Sequence, residues 1–161
     1  MNVNNSRSDS QVPESNRTWV SHTQVGNLRM QLSEFESARR FYRQALALVE
    51  SLIKRSFLQY QKPEIIHMYI VSCHNLANSC RALGELPEAE TSLLKAHSTA
   101  IAFMNDDQLP SSIRQEAYHA MRRAFNYLAG FYIQTQQTEA LAKITMQTKT
   151  QGQRFIDNLV I

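Results

Sequence analysis

The sequence predicts an all-α fold, a right-handed stack of three antiparallel helical hairpins with six main helices. Three observations predict it. First, residues 75–96 place Leu76, Ala77, Cys80 and Leu83 on one helical face, and then Ala89, Leu93, Leu94 and Ala96 on another. Second, the connection between these faces is built to turn. Gly84 can end a helix in the left-handed conformation, and Pro87 can open the next without losing a useful N–H. Helices joined so closely pack antiparallel. Third, the markers repeat: Ala38, Ala89 and Ala140 stand 51 residues apart, with Pro13, Pro63 and Pro110 nearly in step.

Taken in order, residues 1–12 are Asn, Ser, Asp and Arg with almost nothing to bury, and read as a disordered tail rather than a signal peptide. Order is expected from Pro13-Glu14, with a first helix through Trp19, Val25 and Leu28 to about Leu32. Ser33 with Glu36 has the S-x-x-E form of a capping box. The second helix follows, with Phe35, Ala38, Tyr42, Ala45, Leu46 and Val49 on one side, and runs past Ile53 towards Leu58. Tyr60-Gln61-Lys62-Pro63 breaks it. The third and fourth helices flank Gly84. The turn at residues 105–110 precedes a fifth helix carrying Ala117, Met121, Ala124, Phe125, Leu128 and Phe131, with Ser112 and Gln115 as a second capping box. The last helix, about Thr138 to Asn158, is poorer in large apolar residues, as the polar end of a stack should be. Its close (Phe155, Ile156, Leu159, Val160, Ile161) is more apolar than an inert tail needs.

Composition sets the limits. A chain of 161 residues is most simply one domain beyond its tail, 13–161, and can bury roughly 68–70% of its unfolded surface. A net charge of +3 with acidic residues scattered among the basic ones and no Lys/Arg run argues weakly for acidic partners and does not establish a nucleic-acid binder, so nucleic acid is not the expected partner. Cys73 and Cys80 are seven residues apart on one predicted helix, too far for a disulfide, and read as reduced thiols of a cytoplasmic protein. No apolar run approaches the ~20 residues a membrane span needs.

The small residues Ala77, Ala89 and Ala96, Gly84 at the turn, and Glu88-Ala89 opening the second helix resemble a tetratricopeptide repeat. The resemblance spans about residues 13–158, with repeats near 13–61, 62–108 and 109–161. The family's usual unit is about 34 residues, so the longer period here implies long helices either side of each inter-repeat turn (Leu52, Ile53, Phe57, then Ile65, Ile66, Tyr69). His22 and Arg29 depart from the family pattern. In the third unit, Leu128-Ala129-Gly130 matches Leu76-Ala77-Asn78 better with one residue deleted before Gln136.

The resemblance also implies a site, because in this family the first helices line a concave surface that holds peptides. Carried over by register, the groove comprises Thr23, Gln24, Asn27 and Met30, then Val71, His74, Asn75, Asn78 and Arg81, then Arg122, Phe125, Asn126 and Tyr132. Asn offers an extended backbone both a donor and an acceptor, and Arg can hold a carboxylate through two bonds. Some members clamp the C-terminal carboxylate of heat-shock chaperones with two Lys, two Asn and one Arg. Those places are Thr23, Asn27, Asn75, Arg122 and Asn126 here; both Asn places match and Arg122 keeps the charge, but the first Lys and the Arg are missing. The plainer account is that these residues form solvated faces.

Other chemistry is not suggested. His67, Cys73, His74 and Cys80 lack the close pairing of zinc ligands, so no metal is expected. No glycine-rich phosphate loop or nucleophile elbow occurs, and no cofactor or enzymatic activity is proposed. His97 and His119 read as packing or surface residues, the helically spaced aromatics as core, and Arg39, Arg40 and Arg43 as a solvated basic face. The expectation is a non-catalytic module that binds a protein or peptide in its groove. The alternatives are a structural protein that forms homodimers through its apolar C-terminus, and a small bacterial chaperone or regulatory sensor.

Overall fold

The structure, a computed structural model, describes residues 14–56 and 62–159. Expectations about the first twelve residues, Pro13, Phe57, Leu58, the break at Tyr60-Gln61, Val160 and Ile161 lie outside those residues. The described chain forms α1 (Glu14–Gln31), α2 (Phe35–Ser56), α3 (Glu64–Ala82), α4 (Leu86–Asn105), α5 (Ser111–Gln134) and α6 (Thr138–Leu159), with no strand among the described residues. Each helix packs on the next, and α3 also meets α5 while α4 meets α6. Odd-numbered helices thus share one layer and even-numbered helices the other.

One turn geometry recurs at every tight connection. Ser33, Gly84 and Gln136 have φ of 58°, 77° and 57°. In each case the next residue returns its N–H five residues back, from Glu34 to Arg29, Glu85 to Cys80 and Gln137 to Tyr132, all at 2.9 Å. This is the left-handed C-terminal closure that satisfies a helix's last carbonyls. Ser33 therefore ends α1 and does not form the expected capping box; Glu36 instead faces Arg39 at 2.7 Å. The second capping box is also absent. Ser112 lies inside the first turn of α5, whose N-cap is Pro110 with no side-chain bond. Pro87 sits in the first turn of α4, as the sequence implies.

The turns fix the repeat register at 51 residues between the first two hairpins and 52 between the last two. The residue structurally equivalent to Ala38 and Ala89 is consequently Leu141, not Ala140. Ala38, Ala89 and Leu141 each donate to the residue four back, Glu34, Glu85 and Gln137.

The core lies between the two layers. Cys73, Leu76, Ala77 and Cys80 of α3 are buried, as are Ala89, Leu93, Ala96 and Ala100 of α4. At Gly26 there is no room for a side chain: an added Cβ would stand 2.4 Å from Cε1 of Tyr42. Trp19 Nε1 donates to Ser72 Oγ at 2.8 Å, joining α1 to α3. Across α2 and α4, Arg39 binds Glu85 and Arg43 binds Glu88, while Lys95 meets Glu50 at 2.5 Å. Arg39 keeps only 12% of its side chain exposed, so it belongs to this ion-pair network and not to the solvated basic face expected for it.

Candidate functional site

The expected groove residues fall into three settings. On α3, His74, Asn78 and Arg81 are committed to the fold. The His74 ring stacks on Tyr127 of α5 with centroids 3.6 Å apart, and its Nε2 meets Asn78 Nδ2 at 3.0 Å. Arg81 donates to Gln134 of α5. Burial, and then the charge of Arg81, holds the His74 imidazole below its ordinary pKa, so it stacks as a neutral ring. On α1, Asn27 accepts from the Tyr42 hydroxyl at 2.8 Å, and the buried Thr23 hydroxyl has no protein partner. Asn75, on α3, is half-buried. Arg122 and Asn126 are exposed and stand elsewhere, in an open cleft of about 380 Å³ between α5 and α6.

The repeat register explains that cleft. On α2 the residues Tyr42, Leu46, Val49 and Ile53 are buried or half-buried; the equivalent residues of α4, Leu93, His97, Ala100 and Met104, are all buried, and His97 reaches Thr148 of α6. On α6 these places are Thr145, Lys149, Gly152 and Ile156, and the last three line the cleft with Thr145. In the odd layer, buried Ile66, Ile70 and Cys73 correspond to Tyr118, Arg122 and Phe125, which also line it. The cleft thus lies where register-equivalent residues of the preceding helices, Ile70 and Cys73 of α3 and Ala100 and Met104 of α4, are buried. Its floor remains apolar at Met121, Phe125 and Ile156, whereas its rim has become Arg122, Asn126, Lys149 and Gln153, with no carboxylate among the lining residues. Sequence reasoning reached Arg122, Phe125 and Asn126 through the first-helix groove and Ile156 through the apolar C-terminus, but not Lys149, because it sought the groove only on first helices.

The model of the family described as "Protein of unknown function (DUF2753)" matches residues 17–159. The chain belongs to this DUF2753 family. No curated protein and no solved structure matches it.

Elsewhere in this DUF2753 member the strongly shifted groups belong to the interior. Burial pushes the Cys73 thiol up to about 12, Cys80 to about 11 and the Tyr132 phenol to about 12, the last beside Glu90 at 2.8 Å. Burial pushes the His97 imidazole down to about 4. Cys80, Glu85 and Glu88 bring potential ligand atoms within 4.8 Å of one another, a constellation the sequence reading did not single out. Their donors are already engaged: Arg39 and Arg43 hold the two carboxylates, and the thiol stays protonated. Phe155, expected at an apolar C-terminal pairing surface, is buried against Tyr118 with ring centroids 5.4 Å apart, while Ile156 and Leu159 are exposed. None of the described helices is long and apolar enough to cross a membrane.

Proposed function

We propose that this chain is a non-catalytic protein-interaction module, a stack of three tetratricopeptide-like hairpins that receives a peptide or helix of another protein. The recurring turn and the small residues at Gly26, Ala77 and Ala129, one per first helix, favour the tetratricopeptide-like reading. The observation that carries the binding role is the α5–α6 cleft, where an apolar floor meets a polar rim whose two cations, Arg122 and Lys149, have no ion-pair partner among the described residues. That combination is the anatomy of a protein-binding patch. Burial of the shifted thiols, phenols and His97 in the core supports a role without acid–base chemistry, since a catalytic group must reach a substrate. The working site is accordingly displaced from the middle of the first-helix row, where His74, Asn78 and Arg81 are spent on packing, to its last member.

The test is affinity capture from native cell extract, followed by titration of the purified captured protein. Wild type is compared with Phe125→Ser, and with Asn75→Ala as a control outside the cleft. All three must melt alike. Loss of the partner by Phe125→Ser alone supports the cleft, and equal capture by all three rejects it.

A further inference from the structure

Resting on the reading of the cleft as a protein-binding site, we infer that its occupant is an acidic amphipathic helix of another protein, seated as the first helix of a fourth hairpin. The chain already fills two equivalent seats in this way: α3 packs on α2, and α5 packs on α4 and α3. The third seat differs in its lining, not its placement. Leu46 and His97 become Lys149, and Ile70 becomes Arg122. A purely polar end would complete a stack in water, yet Phe125 and Ile156 remain, the latter 41% exposed. An apolar strip between two cations suits a helix with an apolar stripe flanked by Asp or Glu, the helix-in-groove mode. Neither Arg122 nor Lys149 has an ion-pair partner among the described residues, so both charges are available to it.

A second copy of this chain is the poorer fit. The helix it would offer at the same register is α1, which carries a single acidic residue, Glu14, against Arg17 and Arg29. Polarity follows from the internal precedent. The short connection between α4 and α5 makes them antiparallel, so the occupant runs antiparallel to α6.

The probe is a designed amphipathic peptide of about 20 residues, roughly 30 Å as a helix, with a Leu/Ala stripe flanked by Glu. Its twin carries Lys at those flanks. Fluorescence anisotropy on the full chain should show the Glu peptide binding at least about tenfold more tightly than the Lys peptide, with a preference that weakens in salt. The double variant Arg122→Glu, Lys149→Glu, altered only at exposed positions, should reverse the order. Equal binding of the two peptides, no binding at millimolar concentration, or an unchanged preference in the double variant overturns the inference. Sedimentation showing a dimer of the chain that the double variant abolishes overturns it in favour of self-association. Phe125→Ser leaves the rim charges in place, so the capture experiment judges the cleft independently of this choice of partner.

Discussion

His97 Nε2 and Thr148 Oγ1 lie 2.8 Å apart and tie α4 to α6 across the even layer. Thr148 donates its own hydrogen to the Ile144 carbonyl at 2.8 Å, so the imidazole N–H is the donor in the pair. Burial holds this ring down to about 4, against ~6.5 in an unfolded chain. Below that unfolded value the unfolded chain takes up the proton first. The contribution is therefore intact above about pH 6.5 and disappears progressively as pH falls towards 4, with ~3 kcal/mol lost in full. His74, also held low, acts with the same sign. Urea midpoints measured from neutral to acid pH should fall through this window. His97→Leu, which copies Leu46 at the equivalent place, should flatten the fall; an undiminished fall in that variant would exclude His97 as its source.

The turns yield a second prediction. Ser33 and Gln136 hold positive φ at places equivalent to Gly84, where an L side chain costs about 1–2 kcal/mol. Glycine relieves that cost but loses roughly 0.5–1 kcal/mol through the greater freedom of the unfolded chain. Ser33→Gly and Gln136→Gly should each stabilise by up to ~1 kcal/mol, or about 2–4 °C in Tm for a chain of this size. Gly84→Ala should destabilise by a similar amount. Calorimetry on the three variants decides it, and a fall in Tm for both glycine variants would refute the shared turn geometry.

These turns also mark what was legible in the sequence. All six helices could be read, because periodicity and the Gly84–Pro87 punctuation are local signals. Gly84 announced its left-handed conformation, whereas Ser33 carried the S-x-x-E pattern of a helix start and Gln136 carried no turn signal. Hairpin closure imposed the geometry on both. The candidate site was half legible. Arg122 and Asn126 were found through the register of first helices, but His74, Asn78 and Arg81 were placed in the same groove although His74 stacks on Tyr127 of α5, Arg81 bonds Gln134 of α5 and Asn78 is bonded to His74. Lys149 was detectable as the polar replacement of Leu46 and His97, but only once the last repeat is offset by 52, a length set by the tertiary turn.

Arg39 gives a third prediction. Its guanidinium faces Glu36 at 2.7 Å, Glu88 at 3.5 Å, and Glu85, joining α2 to α4. Replacing it leaves Glu85 and Glu88 near each other with Arg43 paired to Glu88 alone, so like-charge repulsion is added to the loss of three ion pairs. Arg39→Met should lower the urea midpoint clearly, while Arg40→Met, at an exposed neighbour, should leave it nearly unchanged. Equal midpoints for the two would show that the network contributes nothing to holding the hairpins together.

Two helical glycines make opposite predictions for one substitution. In an exposed or roomy helix interior, Gly→Ala gains roughly 0.8–1 kcal/mol. At Gly130 an added Cβ meets nothing within 4 Å, so Gly130→Ala should realise that gain. At Gly26 the same methyl would stand 2.4 Å and 2.7 Å from Cε1 and Cδ1 of Tyr42, whose ring is 3% exposed and whose hydroxyl is bound to Asn27. The ring can neither turn aside nor withdraw without breaking that bond and opening α1 from α2. Gly26→Ala should therefore destabilise by about 1–3 kcal/mol, the usual cost of overpacking, despite its better helix propensity. Tyr42→Ala removes the obstacle at the expense of a cavity, so the double variant should show the alanine at position 26 to be nearly free of further cost. Denaturant melts of the four proteins form a double-mutant cycle. A coupling near zero would mean that Gly26 is not required for the approach of α2 to α1, and a coupling of the size of the Gly26→Ala loss would assign that loss to Tyr42.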